Sequence, residues 1–260
     1  HYPLRRQRQM CIRDRFQRAC ARVVVTPLAT RCWLALAQAL ALRIGCALVG
    51  APGSGKAGHA LELGALAGAF VVLAPCSAAT DARALGAVLR GVAHGACWLV
   101  LDELHALRPA VLAACAQLIA SLLGALRAHA ALAAPGVPSA HQFVDGHAIS
   151  VHSADLAVCA TVGGARDAAA LPASVRAHMR IIALAAPDRA FVCGARLAAA
   201  GFAHAAVLGR RVDATLLLCA DSFGPLAVGD YGMRACDTAI RTAVEPVSYT
   251  HLTLPTKRIV

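Results

Sequence analysis

The stretch GCALVGAPGSGKAGHA, residues 45 to 60, places glycines at 50, 53 and 55 directly before a lysine at 56. The spacing G-x-x-x-x-G-K, met by Gly50, Gly55 and Lys56, lets backbone N–H groups turn inward around phosphate oxygens. A helix opening at the end of such a loop adds positive potential. In this reading Gly50, Ala51, Pro52, Gly53, Ser54, Gly55, Lys56 and Ala57 form the nucleotide-binding run, and Lys56 reaches the β- and γ-phosphates. The bland alternative is a glycine-rich turn holding a lysine by chance. Lysine usage argues against it. The chain has two lysines, and the other, Lys257, lies in the last residues. Every other basic residue from 23 to 246 is Arg. A compact point charge fits a phosphate cradle where a broad guanidinium fork does not.

The second constellation is Asp102-Glu103 at the end of CWLVLDE, residues 97 to 103. Phosphate chemistry needs one acid to hold Mg2+, usually through water, and one to orient or polarise the attacking water. Asp102 is the metal candidate and Glu103 the catalytic one. Alone the pair is weak, because strands often end in acids. It follows Lys56 with one strand and one helix between, and that order gives it weight.

The elements that must position these residues are legible as apolar runs and their breaks. Residues 31 to 43 fit a helix, 45 to 49 a buried strand ending at Gly50, and the residues after the loop a helix to about Ala67. Residues 69 to 75 read as a second buried strand stopped by Pro75. Residues 80 to 95 read as a helix that Thr80 or Asp81 can cap and Gly95 can end. A third strand spans 97 to 103, and a long helix 108 to 129 carries Pro109 in its first turn. Residues 130 to 142 read as a loop, 147 to 152 as a hairpin strand, 155 to 162 as a buried strand, 171 to 179 as a short helix and 180 to 187 as a final strand. Residues 188 to 243 read as helices broken at Gly201, Gly209 and Gly224-Pro225.

Strands alternating with helices imply an α/β fold, a parallel sheet with helices on both faces, followed by a small helical lid. The expected division is a basic tail over 1–22, a large α/β subdomain over 23–187, the lid over 188–243 and a second tail over 244–260. Nucleotides on such sheets bind at the carboxyl ends of the strands.

The formal charge of +11 sits largely at the ends, with seven Arg and one Asp in residues 1 to 22. The interior is close to neutral and has no basic stripe interleaved with aromatics, so a nucleic-acid partner is not expected. The end segments QRQMCIRDR and VSYTHLTLPTKRIV resemble translated sequencing-adapter text and are set aside from the fold reasoning. Eleven cysteines without a CxxC pair read as small buried residues under reducing conditions, not as a disulfide framework or zinc site. His141, His147 and His152 read as loop and strand surface. No uninterrupted apolar run reaches the length of a membrane span, so no membrane partner is expected either; 111 to 126 contains Gln117 and Ser121.

With these residues in place, the chain resembles the first AAA+ module of the dynein heavy chain motor. VVVTPLATRCWLALAQAL is similar to the segment that leads into that module and wraps the adenine, which implies such a role for Thr26, Pro27 and Leu28. VGAPGSGK is similar to its phosphate loop and LVLDEL to its acidic strand. LPASVRAHMR resembles the stretch ending at its arginine finger, which implies that Arg180 acts on a neighbouring module's nucleotide. GDYGMRA resembles its second-sensor helix, which implies that Arg234 touches the γ-phosphate from the lid. CSAATDARALG and FVDGHAISVH fit in order, so the resemblance covers residues 23 to 243. It implies a P-loop AAA+ fold, ATP or ADP with Mg2+ as cofactors, and other AAA+ modules of a ring and dynein complex subunits as partners. Microtubules are reached only indirectly. The implied location is the cytoplasmic cytoskeleton or the ciliary axoneme.

The departures bear on chemistry. The family's loop ends in Lys-Thr, where this chain has Lys56-Ala57, and Ala cannot supply the Mg2+-ligating hydroxyl. Ser54 is nearby but sits inside the loop. The family's first-sensor Asn falls near Thr161 or Val162, where there is no Asn. His105 replaces the Asn after the acidic pair, and Ala74-Pro75 replace the one after the second strand. Binding groups are kept better than positioning groups. Losing positioners lowers turnover more than binding, so the expectation is an ATP-binding module with weakened hydrolysis. The alternatives are a non-catalytic nucleotide switch and a purely structural ring module.

Overall fold

The computed structural model describes residues 23–131, 139–142, 148–151, 156–223 and 231–253. In chain order the elements are α1 (Pro27–Ala41), β1 (Gly45–Val49), α2 (Lys56–Leu66), β2 (Val71–Pro75), α3 (Ala82–Gly95) and β3 (Trp98–Asp102). A 3-10 turn (Leu104–Ala106), α4 (Pro109–Ala131), β4 (Ser139–Gln142), β5 (Ala148–Val151), β6 (Ala157–Val162), α5 (Ala165–Ala170), α6 (Ala173–His178) and β7 (Met179–Ala183) follow. The last elements are α7 (Arg189–Ala199), α8 (Ala205–Phe223) and α9 (Met233–Thr253). They form two compact units. One holds 30–49 and 57–183; the other holds 24–29, 50–56 and the chain from Leu184 onward.

The first unit is a five-stranded parallel sheet in the order β2-β3-β6-β1-β7. Its three central strands are apolar at nearly every position, as a sheet covered on both faces requires. Ala47, Val49, Leu99, Leu101, Val158 and Ala160 point into a core shared with Leu85 and Leu89 of α3 and Cys115, Ile119 and Leu122 of α4. Leu48, Val100 and Cys159 are equally buried on the opposite face. There α2 lies on Trp98 and Val71 through Gly64, and Cys32 of α1 sits beside Cys46. That packing raises the Cys32 thiol to about 11, by burial first and then by the neighbouring Cys46. Among the described residues all nine cysteines are free, and eight are buried.

The second unit packs α7, α8 and α9 around Cys193, Leu197, Ala205, Cys236 and Ile240. Asp188 caps α7 by accepting from the Phe191 N–H at 3.1 Å.

Several details differ from the sequence reading. β2 is not buried. It is an edge of the sheet, and its own Leu73 is 44% exposed. Gly209 does not break a helix; it lies inside α8, where a Cβ would come within 2.5 Å of the Gly194 nitrogen of α7. Gly201 does end a helix, with φ of 92°. Neither expected cap bonds at the start of α3. Asp81 makes no side-chain cap bond, and Thr80 Oγ1 accepts from the Ser77 N–H. α3 stops at Gly95, but the left-handed residue is Ala96, φ 48°. β5 has its expected hairpin partner in β4, within the segment read as loop. α5 was not anticipated. α4 is long and apolar enough to cross a membrane by composition, yet its Leu112, Cys115, Ile119, Leu122 and Leu126 are core residues. Gly224-Pro225, His147, His152 and residues 1–22 lie outside the described residues.

Candidate functional site

The phosphate loop leaves the carboxyl end of β1 and ends where α2 begins at Lys56. Gly53 and Gly55 both take positive φ, 74° and 81°, which side-chain-bearing residues rarely adopt. Left-handed residues set into such a turn aim successive N–H groups into one concavity. Lys56 Nζ donates to the carbonyl oxygens of Gly50 at 2.8 Å and Ala51 at 2.9 Å, so the ammonium is folded over its own loop. Ser54 is buried, and its Oγ has no hydrogen-bond partner among the described residues. It turns inward, 3.0 Å from where a Cβ on Gly50 would lie. Ala57 is half-buried in the first turn of α2 and brings no oxygen.

In the segment that leads to α1, Thr26 Oγ1 accepts from the Ala29 N–H at 3.1 Å. Thr26 is thus the N-cap of α1, with Pro27 as its first residue, where a missing N–H costs nothing. Leu28 is exposed. These residues, the phosphate loop and the α7–α9 segment belong to one compact unit.

The acids stand at the carboxyl end of β3. Leu101 pairs with Ala160 of β6, and the next step of that register brings Asp102 beside Thr161. Thr161 is fully buried and donates from Oγ1 to Asp102 Oδ1 at 2.6 Å. Thr161 Oγ1 in turn accepts the Glu103 N–H at 2.9 Å. Glu103 is exposed and left-handed, φ 57°, and turns the chain into the 3-10 turn. One turn further, His105 Nδ1 accepts the Gly163 N–H at 3.2 Å, which leaves the neutral ring's proton on Nε2. Asp167 Oδ2 lies 3.9 Å from that nitrogen. Beneath the acids, burial and then the Asp102 charge push the Cys76 thiol up to about 11.

Arg180 sits at the opposite end of the sheet. It pairs in register with Cys46, near the start of β1, whereas the phosphate loop follows Val49. Its guanidinium donates to Gln38 Oε1 at 3.4 Å. Arg234 is exposed in the first turn of α9. Sequence reasoning missed the ties made by Thr161 and His105. The signal was a hydroxyl inside the otherwise apolar run AVCATV.

A central parallel sheet flanked by helices, a glycine loop between β1 and α2 and acids ending β3 define the chain as a P-loop AAA+ module of the α/β class. The sequence profile of the family described as "Hydrolytic ATP binding site of dynein motor region" matches residues 14–250, and the chain belongs to that family. It is 30% identical over 222 residues to dynein axonemal heavy chain 5 of Rattus norvegicus, covering 85% of this chain and 6% of that one. It is 29% identical over 222 residues to dynein axonemal heavy chain 8 of Homo sapiens, covering 85% and 4%. The cytoplasmic dynein heavy chain of Dictyostelium discoideum is 29% identical over 223 residues, again covering 85% and 4%. The chain therefore spans only a small fraction of these relatives' length.

Proposed function

We propose that this chain is the first AAA+ module of a dynein heavy chain, that it binds ATP, and that it hydrolyses ATP slowly. The observation that carries this reading is the loop itself. Two left-handed glycines and a lysine folded over the loop form a phosphate cradle, and the next residue, Ala57, lacks the hydroxyl that turnover needs. The buried, unpartnered Ser54 hydroxyl fits a loop that awaits a polar ligand.

In this reading Gly50 to Ala57 hold the phosphates, Thr26 to Leu28 line the adenine, and Arg234 contacts the γ-phosphate. Glu103 polarises the attacking water, and Arg180 serves a neighbouring module. Asp102 is the residue that would hold Mg2+. A carboxylate at the end of β3 is the hard oxygen donor that Mg2+ takes, and Mg2+ is ordinarily held by one or two carboxylates with waters and substrate phosphates. Mg2+ when bound neutralises charge on the phosphates. The partners are the other modules of a dynein ring and dynein subunits, with microtubules reached only through them. The location is the cytoplasmic or axonemal cytoskeleton. The lid is read as residues 188–243 and the large subdomain as 23–187.

A second reading, a nucleotide switch without turnover, draws on the grouping of 24–29, 50–56 and the α7–α9 segment in one unit. A ligand on that loop would act on the lid directly. Calorimetric ATP binding with and without Mg2+, together with single-turnover hydrolysis, tests both readings on the protein and on Ala57→Thr. Binding with slow turnover, and a Mg2+ requirement met at lower concentration in Ala57→Thr than in the unaltered protein, is the expected result. Binding with no turnover in either protein selects the switch. Ordinary turnover by the unaltered protein overturns weakened hydrolysis, and absence of binding leaves a structural ring module.

A further inference from the structure

Thr161 stands near the place where the resembling family has a water-positioning Asn, but its geometry gives it a different task. A hydroxyl has one hydrogen to donate. Thr161 spends it on Asp102 Oδ1 at 2.6 Å, and its lone pair takes the Glu103 N–H at 2.9 Å. Nothing remains to donate to a water or a phosphate while the pair is intact. The side chain is fully buried in β6, between β3 and β1, so it cannot swing toward solvent.

We propose that Thr161 is a positioning residue that locks the two acids to each other: it fixes the Asp102 carboxylate through one oxygen and the bend at Glu103 through its N–H. This rests on the reading of Asp102 as the Mg2+-holding residue. Both contacts end on one atom, so the carboxylate's rotation and the turn that aims Glu103 are set together. The lock engages Asp102 through Oδ1, so Oδ2 is not used by Thr161. Gly163, two residues on and just past the end of β6, makes the parallel tie to His105 Nδ1 at 3.2 Å. The end of β6 thus holds residues 102, 103 and 105 in place. This supplies order at the acid pair that a missing Asn would otherwise forfeit, and it acts on the metal ligand instead of on the attacking water.

The test is Mg2+ titration of the full chain with ATP bound, read by calorimetry, with ATP affinity in EDTA measured beside it. Thr161→Val keeps the shape and removes both hydrogen bonds. Its Mg2+ half-saturation is expected to rise about tenfold or more, because the lost bond was made to a charged group. ATP affinity in EDTA should stay within about twofold, since Mg2+-free binding does not use Asp102. Thr161→Ser, which restores the hydroxyl, should return the Mg2+ requirement to that of the unaltered chain. If Thr161→Val does not fold, Thr161→Cys replaces the hydroxyl by a weak donor of similar size and should shift the same quantity in the same direction. Unchanged Mg2+ half-saturation in the folded Val or Cys variant, with ATP still bound, overturns the proposal alone. An unaltered chain that binds no ATP in EDTA overturns the nucleotide reading and the proposal with it.

Discussion

Lys56 Nζ lies 2.8 Å from the carbonyl oxygen of Gly50, the first residue of its own loop. This carbonyl and that of Ala51 are neutral acceptors, and a phosphate makes the stronger hydrogen bond to an ammonium because it is charged. Lys56→Met is expected to abolish the rise in melting temperature that ATP gives. Lys56→Arg should do nearly the same, since the planar fork does not fit between two carbonyls. Thermal melts with and without excess ATP decide this, because a ligand at 100 times its Kd adds about 2.7 kcal/mol. An undiminished shift in Lys56→Met would show that the loop is not where ATP binds.

Gly209 and Gly194 are where α8 and α7 touch backbone to backbone. Gly209→Ala gains about 1 kcal/mol of helix propensity. Its new Cβ, however, falls within 2.5 Å of Gly194 N and 2.7 Å of Ala190 O. Backbone cannot step aside as a side chain can, and overpacking of this kind costs about 1–3 kcal/mol. The clash wins, and the melting temperature should fall. Gly124→Ala in α4 is the control: nothing lies within 4 Å of its added Cβ, so propensity alone acts and the protein should gain stability. Equal effects at the two sites would remove the close helix crossing from the account.

His59 is buried in α2 with its ring edge-on to Trp33, centroids 6.0 Å apart. Burial lowers its pKa below the usual 6.5. The unfolded chain therefore takes up a proton below about pH 6.5 that the folded chain refuses. Stability from this site is complete above the unfolded value and is lost as pH falls toward the lowered folded value. His59→Phe should flatten that acid-side loss in denaturant unfolding between about pH 7 and 5. A slope that persists unchanged would assign the acid sensitivity to other groups.

The strands were readable because a sheet covered on both faces needs unbroken apolar runs, and GCALV, WLVLD and AVCATV are such runs. Strand order was not readable, because pairing joins residues far apart in the chain. That is why VVLAP passed for a buried strand when it forms an edge. Gly209 misled for a similar reason. A glycine in a helix looks like a break until the partner helix that needs the missing Cβ is known. The loop's glycines and lysine were legible because their spacing is local. The Thr161 lock was not, because its atoms come from strands separated by 58 and 59 residues.

Glu103 holds φ at 57°, where glycine or asparagine would rest at ease and a glutamate does not. The bend and the carboxylate therefore make opposite demands on one position. A glycine there would relax the turn and remove the carboxylate to which the proposed function gives the task of polarising a water. Under the proposed reading, the strain stored at Glu103 is the cost in stability of placing a carboxylate at that bend.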